Sequence, residues 1–192
     1  LVVDDQKTTQ ALMVHLLKVQ LYDVKAVFGG KEALHLLDQG EKFDLIITDY
    51  NMPGMNGDEF ASKVRKGEYS NSMRILGVSS AGNSLMSAKF LKAGANDFMQ
   101  RPFAAEEFQW RVSENVETVR MVNKLNELIH IDFLTGVNNR RYLFEVAIEE
   151  IKSAIASSQS ASFILVDIDK FKSVNDKYGY AFGDLAIKHV TK

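Results

Sequence analysis

Residues 43–57 read Phe43-Asp-Leu-Ile-Ile-Thr-Asp-Tyr-Asn-Met-Pro-Gly-Met-Asn-Gly57. Within them the short apolar run Leu45–Thr48 carries no charge, and Asp49 follows it directly. A run of this length, followed by the turn residues Pro53 and Gly54, is typical of a buried strand. The stretch therefore predicts a strand whose carboxyl end presents Asp49.

Four further runs of this kind lie in the first 103 residues, and stretches with a helical spacing of apolar residues separate them. Short strands that alternate with amphipathic helices are the pattern of a doubly wound parallel sheet. We therefore predict an α/β fold for residues 1–103, a (βα)5 domain with strands at Leu1–Val3, Val24–Phe28, Leu45–Thr48, Ile75–Val78 and Phe98–Gln100. Because the chain opens inside a strand, we expect that a short N-terminal piece is missing.

Residues 104–131 contain neither glycine nor proline. They predict one helix about 40 Å long, at about 1.5 Å per residue, which is more than a domain of this size can cover. The helix can pack on its own domain, or its second half can pair as a coiled-coil signalling helix, although Asn123 and Asn126 weaken that seam. Its apolar stripe consists of Val112, Val116, Val119, Val122, Leu125 and Ile129.

A third region, residues 132–192, begins after this helix. Its spacing of apolar residues predicts a helix from Tyr142 to about Ala156, a strand at Ser162–Val166 and a further helix from Leu185 onward. We expect an α/β domain that is incomplete within these residues.

The composition limits the class of protein. A formal net charge of -2 gives no reason to expect a nucleic-acid partner, and the apolar runs are too short for a membrane span. The absence of cysteine excludes disulfides and thiolate metal sites and agrees with a reducing compartment. We therefore expect a cytoplasmic protein that binds neither nucleic acid nor membrane.

Three acids follow predicted strands: Asp4 and Asp5 after the first, and Asp49 after the third. In a doubly wound sheet, binding groups collect at the carboxyl ends of the strands. Three carboxylates in one crevice repel each other unless they share a cation, and Mg²⁺ prefers such oxygen ligands. The alternative is that these acids only cap the helices that follow.

The segments that contain these acids, together with Val78-Ser-Ser-Ala81 and Arg101-Pro-Phe103, resemble the receiver domain of response regulators. The resemblance covers residues 1–103. It implies that Asp49 is a phosphoacceptor, a carboxylate nucleophile that takes a phosphoryl group from a sensor histidine kinase. It also implies that Asp5, Asp49 and the backbone carbonyl of Asn51 coordinate Mg²⁺, with Asp4 reaching the ion through water.

The same resemblance assigns three further residues. Ser80 matches the residue whose hydroxyl binds the phosphoryl group, and Phe98 matches the aromatic residue whose rotamer changes with that binding. The alternative is that Ser80 is only a polar residue at the end of a strand and Phe98 only a core residue. Arg101 stands where the family usually has lysine. Arginine keeps the charge but has a planar, bulkier fork, so we expect phosphorylation with altered transfer or dephosphorylation rates.

A second group of polar residues lies in Val166-Asp-Ile-Asp-Lys-Phe-Lys-Ser-Val-Asn-Asp-Lys-Tyr-Gly-Tyr-Ala-Phe-Gly-Asp184. Asp167 follows the predicted strand and shares one face with Asp169. Lys172 can meet phosphate, and Asn175 and Asp184 can read the edge of a purine. The pattern suits a nucleoside triphosphate on a divalent metal, and a solvated charged loop is the alternative.

Together with Asp132-Phe-Leu-Thr-Gly-Val-Asn-Asn-Arg-Arg-Tyr142, this stretch resembles the first part of the GGDEF domain of diguanylate cyclases, over residues 132–192. The resemblance implies that Asp167 and the carbonyl of Ile168 bind metal. It places Phe171 and Lys172 along the triphosphate of GTP, and Asn175 and Asp184 on guanine. Tyr180 stands where the family often has histidine.

This resemblance implies that two GTP molecules are joined into cyclic di-GMP, a symmetric reaction that requires a homodimer. The Gly-Gly-Asp/Glu-Glu-Phe turn does not occur in the 192 residues, so we expect no cyclase activity from them alone. We predict a two-component response regulator in which phosphorylated Asp49 controls dimer packing and a C-terminal cyclase. The alternative is a non-catalytic regulator whose GGDEF-like part binds GTP or a protein, and the residues after Lys192 would separate the two.

Overall fold

The computed structural model describes residues 1–67, 69, 73–80 and 84–191. The chain divides into two compact units, Leu1–Asn123 and Lys124–Lys192.

The first unit contains a five-stranded parallel sheet with the strand order β2-β1-β3-β4-β5. The α/β fold class predicted for this region is confirmed. The strands β3, β4 and β5 are longer than their predicted ranges by one, three and two residues. Strand β2 is shorter, because only two of its residues pair with β1 at the edge of the sheet. The strands are β1 Val2–Val3, β2 Ala26–Val27, β3 Leu45–Asp49, β4 Arg74–Ser80 and β5 Asp97–Arg101.

Helices cover both faces of this sheet, because successive strand residues point to opposite sides. On one face Val3, Ile46 and Ile75 pack with Phe60 and Phe90. On the other face Val2, Ile47 and Leu76 pack with residues of the first and fifth helices. The helices are α1 Lys7–Val19, α2 Gly30–Asp38, α3 Gly57–Lys66, α4 Ser84–Lys92 and α5 Ala105–His130.

Helix α5 confirms the single long helix predicted from residues 104–131. Its first half buries Phe108, Val112, Asn115 and Val116. Farther along, the apolar side chains are exposed: Leu125 and Leu128 are 62% and 64% accessible. Pairing of this second half with another helix stays a prediction.

In the second unit, a bridge between Ile131 and Asn138 precedes a run of helix that begins at Arg140. Asn139 caps this run by accepting hydrogen bonds from the backbone N–H groups of Arg141 and Tyr142. The helix predicted from Tyr142 to Ala156 is thereby confirmed, with a π-helical segment inside it. The elements are α6 Arg140–Tyr142, the π segment Leu143–Ala147, α7 Ile148–Ala156, α8 Phe171–Tyr178 and α9 Tyr180–Val190.

The strand predicted at Ser162–Val166 is wrong. Residues 159–168 form no strand, and the Leu165 side chain is 87% exposed. A strand needs a neighbour to satisfy its backbone groups, and none of the described residues of the second unit pairs with this segment. The last predicted helix begins at Tyr180 instead of Leu185.

Candidate functional site

The crevice at the carboxyl ends of β1 and β3 brings three acids together. Asp4 follows β1, Asp5 is next to it, and Asp49 closes β3. One carboxylate oxygen from each of the three lies within 4.8 Å of the other two. Asp4 is fully buried and Asp49 is 3% exposed, so two of these charges have little access to water.

Arg101, the last residue of β5, reaches this group of acids. Its Nη2 donates to Asp4 Oδ2 at 2.5 Å and to Asp49 Oδ1 at 3.0 Å. Its Nε is buried and has no hydrogen-bond partner among the described residues. A single guanidinium nitrogen therefore serves two buried carboxylates and leaves another donor of the same group unused.

Burial dominates the electrostatics of the crevice. It raises the pKa of Asp49 to about 6, although the nearby Arg101 charge opposes the rise. Burial also raises the pKa of Asp4. Two groups oppose this rise: the backbone N–H of Gln6, which donates to Asp4 Oδ1 at 2.8 Å, and the charge of Arg101. The acids are thus held in an environment where a further positive charge stabilises their ionised forms.

The donor set fits a hard divalent cation. Asp5 Oδ1 is buried and finds no hydrogen-bond partner within the described part of the chain. An unpartnered carboxylate oxygen beside two other buried carboxylates is the kind of ligand that Mg²⁺ takes. Asn51, the further ligand expected from the sequence, is exposed in the loop that follows β3.

The two serines at the end of β4 differ in their surroundings. Ser80, the residue selected from the sequence, is exposed. Ser79 is fully buried, and its Oγ lies 3.2 Å from the sulfur of Met86 in α4. Ala81, the last residue of the matched segment, lies outside the described residues.

Strand alternation places Ser79 on the same face as Ile75, whereas Ser80 shares the face of Val78. Phe98 packs on the Ile75 side, and its ring centroid lies 5.9 Å from that of Phe90. Ser79 and Phe98 therefore face the same apolar layer. Asp49 shares its face of β3 with Ile47, which packs with Val78, so Ser80 lies on the same face of the sheet as Asp49 and pairs with Arg101 of β5.

In the second unit, a cavity of about 490 Å³ brings Asp167, Ile168 and Phe171 together with Ile187 of α9. Asp167 is exposed and does not end a strand, because no strand forms there. Lys172, Asn175 and Asp184 lie on α8 and α9 and do not line this cavity.

Asn175 has an unusual environment within this unit. Its Oδ1 is buried and lacks a hydrogen-bond partner in the described part of the chain. It lies so close to Gly183 that a Cβ on the glycine would collide with it. Helices α8 and α9 therefore approach closely at Asn175 and Gly183.

Two family models match the chain. The model described as response regulator receiver domain matches residues 1–113, and the model described as diguanylate cyclase, GGDEF domain matches residues 129–192. The chain therefore belongs to the response regulator receiver family, and a GGDEF domain follows its receiver domain.

Individual relatives have the same architecture or its first part. Response regulator PleD of Caulobacter vibrioides is 28% identical over 159 residues, which cover 79% of this chain and 35% of PleD. A chemotaxis protein CheY homolog of Campylobacter jejuni is 34% identical over 62% of this chain and 92% of its own length. The chain thus spans about a third of PleD.

Solved structures agree with the family match. A two-component system response regulator/GGDEF domain protein is 38% identical with a TM-score of 0.58, covering 62% of this chain and 49% of that chain. The solved structure and the two family models thus agree on a receiver domain followed by a region that matches the GGDEF domain. None of the described helices is both long and apolar enough to cross a bilayer.

Proposed function

We propose that Asp49 accepts a phosphoryl group and that its phosphorylation controls the diguanylate cyclase domain. One observation carries the proposal: a buried carboxylate at the end of β3 lies between two other acids and a guanidinium. This arrangement unites a nucleophile, ligands for a divalent cation and a donor for phosphoryl oxygens in one crevice.

In the proposed reaction, a carboxylate oxygen of Asp49 attacks the phosphorus of a phosphohistidine on a sensor kinase. The O–P bond forms, the P–N bond breaks, and the departing imidazole takes a proton. The Arg101 guanidinium, already 3.0 Å from Asp49, stabilises negative charge on the phosphoryl oxygens.

Asp4, Asp5 and Asp49, with the carbonyl of Asn51, would hold Mg²⁺. When bound, the ion offsets charge on the phosphoryl oxygens. The buried, unpartnered oxygen of Asp5 supports this ligand set.

A hydroxyl at the end of β4 would bind the phosphoryl group, and Phe98 would follow its movement. The resemblance points to Ser80, and strand alternation supports it, because Ser80 lies on the same face of the sheet as Asp49 and pairs with Arg101 of β5. We propose Ser80 for this role; Ser79 lies on the opposite face, toward Ile75.

For the second unit we propose binding of GTP on a divalent metal. Asp167 and the carbonyl of Ile168 would hold the metal, Phe171 and Lys172 would lie along the triphosphate, and Asn175 and Asp184 would contact guanine. The GGDEF match over residues 129–192 supports this.

The proposed product is cyclic di-GMP, formed from two GTP by a homodimer. The exposed apolar residues in the second half of α5, such as Leu125 and Leu128, suit a helix that pairs on phosphorylation. The Gly-Gly-Asp/Glu-Glu-Phe turn is not among the 192 residues, so the activity is proposed for a protein that also has that turn.

The test uses such a protein and measures its rate of cyclic di-GMP formation with and without beryllofluoride and Mg²⁺. The rate should rise with beryllofluoride, and Asp49→Asn should abolish the rise. Equal rates under all these conditions would contradict the proposed control.

A further inference from the structure

Strand β5 is tied by side chains at both of its ends. At the carboxyl end, Arg101 hydrogen-bonds Asp4 and Asp49. At the amino end, Asp97 Oδ1 accepts from Arg111 Nη1 at 2.9 Å. Asp97 Oδ2 accepts from Asn115 Nδ2 at 3.3 Å. One five-residue strand thus joins the acidic crevice to helix α5.

Asn115 is a buried polar residue in an otherwise apolar interface. It is 3% exposed and lies beside Val112 and Val116 on the face of α5 that packs on the sheet. Its Oδ1 accepts from Arg74 Nε at 2.7 Å, and its Nδ2 also donates to the carbonyl of Arg111 at 2.8 Å. Both ends of the amide are therefore hydrogen-bonded, and the network spans β4, β5 and α5.

These hydrogen bonds are directional, and they restrict how α5 can move on the sheet. Apolar contacts alone are non-directional, so a helix held only by them can shift along a sheet. A buried amide that loses its partners is costly, so Asn115 fixes α5 at one position along β5. If β5 moves, α5 must move with it or the network must break.

We propose that Asp97, Arg111 and Asn115 couple the acidic crevice to α5 through β5, so that a change at Arg101 alters the helix. The proposal deepens the proposed function, because α5 continues toward the cyclase domain in sequence. The coupling itself does not require phosphorylation, so it can be tested separately.

The experiment measures amide hydrogen exchange of residues 105–123 in the 192-residue chain. Arg101→Gln removes the charge at the crevice without touching α5. It should change the exchange rates of α5 in the parent chain, and Asn115→Leu, which keeps the volume but not the bonds, should remove that effect. Thr118→Ala is the matched control, because it deletes an exposed local bond of Thr118 Oγ1 to the Glu114 carbonyl on the same helix.

An equal effect of Arg101→Gln with and without Asn115→Leu would overturn the proposal, and so would no effect in the parent chain. If circular dichroism shows that Asn115→Leu does not fold, Arg111→Met replaces it. That variant must weaken the effect, and an unchanged effect would again overturn the proposal.

Adding beryllofluoride with Mg²⁺ separates the two proposals. If Arg101→Gln changes α5 while beryllofluoride does not, the coupling stands and the proposed phosphoryl control fails.

Discussion

Arg101 Nη2 lies 3.0 Å from Asp49 Oδ1, and the same nitrogen lies 2.5 Å from Asp4 Oδ2. The crevice that we propose for Mg²⁺ therefore already contains a positive charge that belongs to the chain. A divalent cation must compete with this guanidinium for two carboxylates, while Asp5 has no such partner among the described residues.

The first prediction concerns this competition. Arg101→Met should strengthen Mg²⁺ binding by about tenfold, or about 1.4 kcal/mol, because it frees Asp4 and Asp49 from a close positive charge. Titration calorimetry with magnesium chloride measures the affinity. Arg120→Met is the control, since that side chain is 69% exposed. Equal affinities in the parent chain and Arg101→Met would show that Arg101 does not compete.

Arg101→Lys addresses the departure from the family pattern. We expect its rates of phosphoryl transfer and dephosphorylation to differ from those of the parent chain, because an ammonium cannot present two donors in one plane. Both rates can be measured by sampling the phosphorylated chain over time. Unchanged rates would show that arginine in place of lysine at position 101 has no effect on either reaction.

The third prediction follows from the pKa of Asp49, which burial raises to about 6. Because the folded state holds this proton more tightly than the unfolded state, the ionised carboxylate destabilises the fold. The destabilisation appears as pH rises from about 4 and is complete above the folded pKa, where it reaches about 2–3 kcal/mol.

Asp49→Asn should therefore raise the free energy of unfolding at about pH 7.5 by about 2 kcal/mol in magnesium-free buffer and give no gain near pH 3.5. Urea unfolding at the two pH values measures it. Asp176→Asn, which removes an exposed carboxylate, is the control and should change little at either pH. A gain that does not depend on pH would contradict the assigned ionisation.

The fourth prediction concerns the backbone that supports Asp49. A Cβ on Gly57 would collide with the carbonyl oxygen of Asp49 and lie 2.6 Å from Phe90 Cζ. Gly57→Ala should lower the free energy of unfolding by about 1–3 kcal/mol, the usual cost of overpacking. Gly29→Ala is the matched control, because a Cβ there meets no described atom within 4 Å, and φ is extended at -163°. Equal stabilities of the two variants in urea unfolding would be inconsistent with the tight contact.

The fifth prediction separates the two serines of β4. Ser80→Ala should reduce the amide-exchange response of β5 to beryllofluoride, because Ser80 lies on the face of Asp49 and pairs with Arg101 of β5. Ser79→Ala, which removes a buried hydroxyl on the opposite face, should leave the response intact. The reverse outcome would move the role to Ser79.

The sequence predicted the central strands well because they are buried on both faces. Leu45–Thr48 carries no charge, and the acid that follows it marks the carboxyl end of the strand. The convergence of Asp4, Asp5 and Asp49 follows from the parallel topology alone. That one nitrogen of Arg101 contacts two of them could not be predicted, because it depends on a side-chain rotamer.

Other elements were predicted wrongly or missed from the local spacing of apolar residues. The apolar run Ser162–Val166 predicted a strand, but a strand also needs a partner, and pairing is not local. Helix α8 was missed, although Phe171, Val174 and Tyr178 have a helical spacing and Gly179 follows them. Asn115 lies three residues after Val112 and four before Val119, on the apolar stripe of its helix, and this spacing could have shown that it is buried.

The most direct test of the central claim is the intact mass of the 192-residue chain after incubation with acetyl phosphate and Mg²⁺. We expect a gain of one phosphoryl group in the parent chain and no gain in Asp49→Asn, with the modified peptide containing Asp49. An unmodified parent chain, or an equal gain in Asp49→Asn, would contradict the assignment of Asp49 as the phosphoacceptor.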